Sequence, residues 1–239
     1  MFKLSLPKFL VPNRKTKLKR FGSLYDGGYL LNETDVLKSD LLISLGIHEN
    51  WDFEEEIYFN YKIKKIICFD PETSNFLILN YLIKSILKFD VKKTINYLKK
   101  FKKFSQLKLY SSFFRCKFDK SLIKKELKSK NILLKVDIEG DEYKWLDFFI
   151  QYQDHINCLA IEFHDLDKNL TKIKNFISNF KLNLIHTHIN TFSKENDIVV
   201  ELTFSKNSIL LNETWSQLSL TDIDMPNHTK HKNIEIVSA

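Results

Sequence analysis

Between Leu133 and Leu146 the chain reads LLKVDIEGDEYKWL, an apolar run that ends on two acids, Asp137 and Glu139, before Gly140. Carboxylates at the tip of a buried strand can take a proton from a substrate hydroxyl or hold a hard cation such as Mg or Mn. Asp141 and Glu142 follow at a helix start, where the positive end of the helix dipole is reason enough for acids. Further on, IEFHDLD puts Glu162 and His164 at alternating positions, and so on one face, of another strand. In a parallel sheet that tip falls near Asp137. Asp137, Glu162 and His164 are thus the expected catalytic residues, and with Glu139 they are a candidate metal group. A structural ion-pair network with Lys135 is the plainer reading of the same residues.

Only five glycines occur in the chain. Gly46, in SLGIHENWDFEEE, lies between a strand and a helix, where a cofactor's polar tail can approach backbone amides. Asp70 ends the next apolar run, KIICF, just before Pro71. A carboxylate there can accept both hydroxyls of a ribose, although an aspartate before proline is also an ordinary turn residue. Together Gly46 and Asp70 favour an adenosine-containing cofactor. Late in the chain, His186, His188 and Asn190 alternate in IHTHIN, and Glu201 follows in VVELTF. Without cysteines or a carboxylate pattern nearby, zinc is not expected; His188 and Asn190 are expected to bond substrate and His186 to sit in the core.

Positioning these residues requires a sheet. Leu41–Leu45, Lys65–Phe69, Ile132–Val136 and Cys158–Phe163 read as buried parallel strands with polar tips. Helices are predicted at 53–61, at 75–103 in two pieces, and at 121–130, 141–152 and 167–180. Segments 183–188, 197–204 and 234–237 read as an antiparallel edge of the same sheet. The expected fold is α/β and Rossmann-like, with ligands at the carboxyl ends of the strands. One domain is expected over 1–239, with a basic N-terminal extension at 1–20 and a C-terminal tail at 228–239.

Composition narrows the class. Hydrophobic residues make up 44% of the chain and aromatics 13%, enough apolar surface to exclude general disorder. No apolar stretch is long enough to span a bilayer, so a cytoplasmic protein is expected, with a homodimer possible. Cys68, Cys116 and Cys158 are odd in number and sit in apolar runs, which predicts reduced core thiols. The net charge of +7 is concentrated between Ile86 and Lys130, where fifteen basic residues face three acids. Such a run is either a solvated helical face or a surface that attracts anionic partners.

Taken in order, these segments resemble the FkbM-type methyltransferase family. The resemblance is carried by Asp26-Gly27-Gly28-Tyr29, Ser44 to Gly46 with Phe53-Glu54, Phe69-Asp70-Pro71, Leu134 to Glu142, Ile161 to Leu166, His186 to Asn190, Glu201 to Phe204, and Pro226-Asn227. It spans nearly the whole chain. It implies a class I methyltransferase fold, S-adenosylmethionine as donor, and a sugar or polyketide hydroxyl as acceptor, free or on a nucleotide sugar. On that basis Gly27, Gly28, Ser44, Gly46, Phe53, Asp70 and Pro71 are expected to contact the cofactor. Glu139, His188 and Asn190 are expected to contact the acceptor. Two departures stand out: the Gly46 turn lacks a fuller glycine-rich form, and Thr191 stands where a second Asn is common. A metal-dependent phosphoester hydrolase using the same acids is one alternative. An RNA methyltransferase or nucleic-acid-binding protein using the basic face is the other, but the chain carries no RNA-binding motif, so nucleic acid is not the expected partner.

Overall fold

The computed structural model describes residues 3–12, 14–48, 50–61, 63, 65–128, 131–192, 198–210, 217–218, 224–225 and 235–238. The four apolar runs form parallel strands: β1 (Leu41–Leu45), β2 (Lys65–Phe69), β4 (Ile132–Val136) and β5 (Ile156–Phe163). A strand missed by the sequence reading, β3 (Ser111–Phe114), pairs in parallel with β2. At four residues it is too short for a periodic signal, and it follows directly on a helix. Two long antiparallel strands, β6 (Asn183–Phe192) and β7 (Ile198–Ser205), complete a seven-stranded sheet ordered β3-β2-β1-β4-β5-β7-β6. The expected mostly parallel α/β sheet with an antiparallel edge is therefore present.

The helices are α1 (Glu33–Leu37), α2 (Asp52–Tyr61), α3 (Asn75–Leu87), α4 (Val91–Tyr110), α5 (Leu146–Gln151) and α6 (Leu166–Asn179). Strands apolar on both faces need cover on both. On one face Leu41, Ile43, Leu134 and Ile161 pack with Phe149 of α5 and with Ile173 and Phe176 of α6. On the other, Leu42, Ile66, Leu133 and Ala160 pack with Phe53 and Ile57 of α2, Phe104 of α4, and an unanticipated hairpin, Leu18–Gly22 with Gly28–Asn32.

Three expectations are corrected. The 121–130 helix is instead two short 3-10 turns, Lys120–Ile123 and Glu126–Lys128, which place Ile123 and Leu127 in the core. The 141–152 helix is broken into a 3-10 turn, Glu142–Lys144, followed by α5. The final β segment does not edge the main sheet: Glu235–Ser238 pairs in parallel with Lys3–Leu6 and antiparallel with Gln217–Leu218. Pro226-Asn227 and most of the expected tail lie outside the described residues. All three cysteines are free thiols; Cys68 and Cys158 are buried as expected, and Cys116 is half-buried.

Candidate active site

The tips of β1, β2 and β4 surround a cleft of about 1120 Å³. At the end of β1, Gly46 has φ +74°, and a Cβ there would stand 1.6 Å from the Asp137 carbonyl oxygen. Only glycine lets the two strand tips come this close. Lys135, buried on β4, donates to the Gly46 carbonyl and lies 3.8 Å from Asp137 Oδ2, which also accepts from the Tyr29 hydroxyl at 3.0 Å. Asp137 and Glu139 both line the cleft.

The imidazole of His164 is set among carboxylates. Its Nε2 lies 3.2 Å from Glu139 and 3.9 Å from Glu162, and its Nδ1 lies 3.4 Å from Glu142. Burial lowers the His164 pKa, but bonding to Glu139 and Glu142 and the charge of Glu162 outweigh this and raise it to about 11. That shift favours the imidazolium at neutral pH, a form suited to fixing charge around Asp137 and not to taking a proton. Glu142 was assigned by sequence to helix capping. It is fully buried, accepts from the Gly140 and His164 backbone amides at 2.8 Å each, and fixes the imidazolium. Such a role has no sequence signal apart from an acid next to a strand tip.

The sign of this coupling gives a test. A raised imidazole pKa stabilises the fold fully below about 6.5, and that stabilisation is lost as pH rises toward about 11. Melting temperatures between pH 6.5 and 10 are expected to fall more steeply for the native protein than for His164→Gln. Parallel curves would show that His164 is not a stabilising cation.

Burial, then the charges of Asp137 and Glu201, push the Glu162 carboxyl well above its ordinary value and favour its neutral form. Its Oε2 accepts from Asn190 Nδ2 at 2.9 Å, and Asn190 Oδ1 meets His188 Nδ1 at 2.7 Å. His188 and Asn190 are buried on the hairpin-covered face and do not line the cleft. Instead of reaching the cleft wall they form a chain of hydrogen bonds to Glu162. His186 is buried as expected, with its Nε2 2.9 Å from Asp224. Glu201 lies opposite Glu162 on β7, and its pKa is raised to about 7, mainly by burial. Ligand atoms of Asp137, Glu162 and His164 lie within 4.8 Å of one another, so three of the four expected metal ligands converge; Glu139 approaches from the exposed side.

Of the expected cofactor residues, Gly27, Gly46, Asp70 and Pro71 line the cleft. Ser44 is fully buried and donates to Glu54, Phe53 packs edge-on against Tyr29, and at Gly28 an added Cβ would meet the Ser23 carbonyl oxygen at 1.9 Å. Ser44 and Phe53 pack toward α2 and the hairpin, Gly28 is enclosed by its own hairpin, and none of the three lines the cleft. Asp70 also has a different role. Its Oδ2 accepts from the amides of Ile47 (3.0 Å) and His48 (2.6 Å), and its Oδ1 from those of Glu72 (2.8 Å) and Thr73 (2.7 Å). Burial raises its pKa and the four amides more than offset that, leaving it below the ordinary value. With about four lone-pair sites so occupied, Asp70 clamps the two loops that border the cleft. Glu72, exposed and two residues on, also lines the cleft, and its carboxylate is not taken up by such a clamp.

The strand order and the cleft at the parallel strand tips define the class I methyltransferase fold. No family model matches the chain, and no curated protein matches it. Among solved structures it is similar to M. jannaschii TYW2 in complex with AdoMet (11% identity, 80% of this chain and 87% of that one, TM-score 0.38). It is also similar to aTrm5 in complex with tRNALeu (15%, 80% and 54%, TM-score 0.41) and to the Methanococcus jannaschii fibrillarin pre-rRNA processing protein (7%, 79% and 87%, TM-score 0.42).

Proposed function

We propose that the protein is a cytoplasmic S-adenosylmethionine-dependent O-methyltransferase of FkbM type acting on a hydroxyl of a small polar acceptor, a sugar or nucleotide sugar. The observation that carries this reading is the cleft at the tips of β1, β2 and β4 with Asp137 on its wall. The cleft fits the cofactor in size and chemistry: Asp26, Glu72 and Asp137 match a cationic sulfonium and ammonium, and Phe118 and Trp145 offer a wall for a purine. Glu72 would take the ribose hydroxyls, and Gly27, Gly46 and Pro71 would let the ligand approach the backbone closely. When bound, the cofactor supplies a methyl group on a sulfonium, an activated donor that leaves as a neutral thioether.

The chain's own residues do the rest. Asp137, oriented by Tyr29 and Lys135, accepts the acceptor hydroxyl's proton as its oxygen takes the methyl group. Glu162 and the His164 imidazolium hold the charge around Asp137 fixed, and most of the rate comes from orientation. Mg or Mn is not needed in this scheme, because the imidazolium supplies positive charge within the acidic group. Lys99, Lys100 and Lys103 of α4 line the opposite wall and suit an acceptor carrying phosphate.

Isothermal titration with S-adenosylhomocysteine, with and without Mg or Mn, tests the reading. Micromolar binding independent of metal is expected, followed by methyl incorporation into nucleotide sugars. Absence of binding under every metal condition would overturn it, and incorporation into RNA instead would reassign the acceptor.

A further inference from the structure

The α3–α4 pair leaves a run of large apolar side chains in solvent. At its tip Leu87 is 72%, Phe89 91% and Val91 70% exposed, and Ile83, Ile86, Ile95 and Leu98 are exposed along the two helices. These residues are not what joins the helices: Tyr81 stacks on Tyr97 with centroids 5.5 Å apart, and the Thr94 hydroxyl bonds the Ser85 hydroxyl at 3.0 Å. The turn is built to present its tip. Phe89 has φ +53°, its amide bonds the Ile86 carbonyl at 2.9 Å, and Asp90 caps α4 through the Lys93 amide at 3.0 Å. Around the apolar run, Asn75–Tyr110 carries nine lysines and one acid, Asp90, a net charge of +8.

We propose that the α3–α4 hairpin docks on an anionic lipid surface, with its apolar tip in the acyl boundary and its lysines among the headgroups. An exposed apolar face flanked by lysines is the pattern of an interfacial helix. No helix among the described residues is long and apolar enough to cross a membrane, so the element lies in the interface. Charge selects this occupant over others. Two copies meeting through this face would bring +8 against +8. A nucleic acid would match the lysines and could stack a base on Phe89, but it offers nothing to the aliphatic Leu87, Val91, Ile83 and Ile95 that make up most of the run. The inference does not depend on the methyl-transfer reading, although α4 also supplies Lys99, Lys100 and Lys103 to the cleft.

The test is co-sedimentation of the full chain with vesicles of phosphatidylcholine, with and without about one-third phosphatidylglycerol. Binding is expected only to the anionic vesicles and is expected to weaken with salt. Phe89→Ser is expected to weaken it about tenfold, and Lys92→Glu with Lys93→Glu by a larger factor. All three side chains are on the surface, and unchanged melting temperatures would confirm that the variants fold. Failure to bind anionic vesicles, binding insensitive to Phe89→Ser, or concentration-dependent self-association abolished by that substitution would overturn the proposal.

Discussion

Asp137→Asn is expected to lower kcat for methyl transfer by about 10³-fold, the scale of losing a positioned general base. Melting temperature should change little, and any loss of S-adenosylhomocysteine affinity should be far smaller than the loss of kcat. Few groups near the acceptor can receive a proton. His164 is already an imidazolium, and the Glu162 carboxyl is favoured in its neutral form by burial and by the charges of Asp137 and Glu201. Glu139 is turned toward His164 and largely exposed. Asp137 alone combines a place on the cleft wall with a fixed orientation, through Tyr29 Oη at 3.0 Å and Lys135 Nζ at 3.8 Å. The asparagine keeps the shape and the bond from Tyr29 but removes the basic oxygen. Turnover within tenfold of the native protein would refute the assignment, and Glu162→Gln would then be the variant to examine.

The second large effect is on folding. Asp70→Ala, measured without cofactor, is expected to lower the melting temperature by about 10 °C, corresponding to a loss of about 4 kcal/mol. Removing this carboxylate leaves the amides of Ile47, His48, Glu72 and Thr73 without their acceptor, and two loops lose the clamp between them. Cofactor affinity should fall too, because the same loops form the cleft. The cofactor-free melting temperature separates the two roles open to Asp70. A ribose contact would leave it unchanged and lose only binding, whereas a loop clamp must lower it. Glu72→Ala should do the reverse, with binding weakened and the fold intact.

Much of this molecule is written locally. LLISL, KIICF, ILLKV and CLAIEF are short, mostly apolar runs bounded by polar residues, as strands buried on both faces are, and each was placed to within two residues. The acids at the strand tips were visible for the same reason: a carboxylate ending such a run cannot be there for packing. That the helical stretch after Asn75 falls into two pieces was also legible, although where it breaks was not. By contrast, Ser111–Phe114 and the Leu18–Asn32 hairpin are short and carry weak periodicity, so they become strands only because neighbours supply their hydrogen bonds. Ile236 and Val237 pair with Leu4 and Ser5 at the other end of the chain, a partnership no local pattern encodes.

Local pattern alone sets the α/β class, the strands of the parallel sheet, and the placing of Asp137, Glu139, Glu162 and His164 at or just past their tips. These follow from apolar runs and side-chain period, which act over a few residues. The tertiary structure decided what each residue does. Glu142, Glu139 and Glu162, brought from two strand tips, make His164 a cation. Four amides from two loops make Asp70 a clamp, and a hydrogen-bonded chain from His188 through Asn190 to Glu162 holds those side chains in the interior. Protonation and hydrogen-bond capacity are set by neighbours across space at distances of about 3 to 4 Å, and which residues become neighbours is fixed only when the chain closes its sheet.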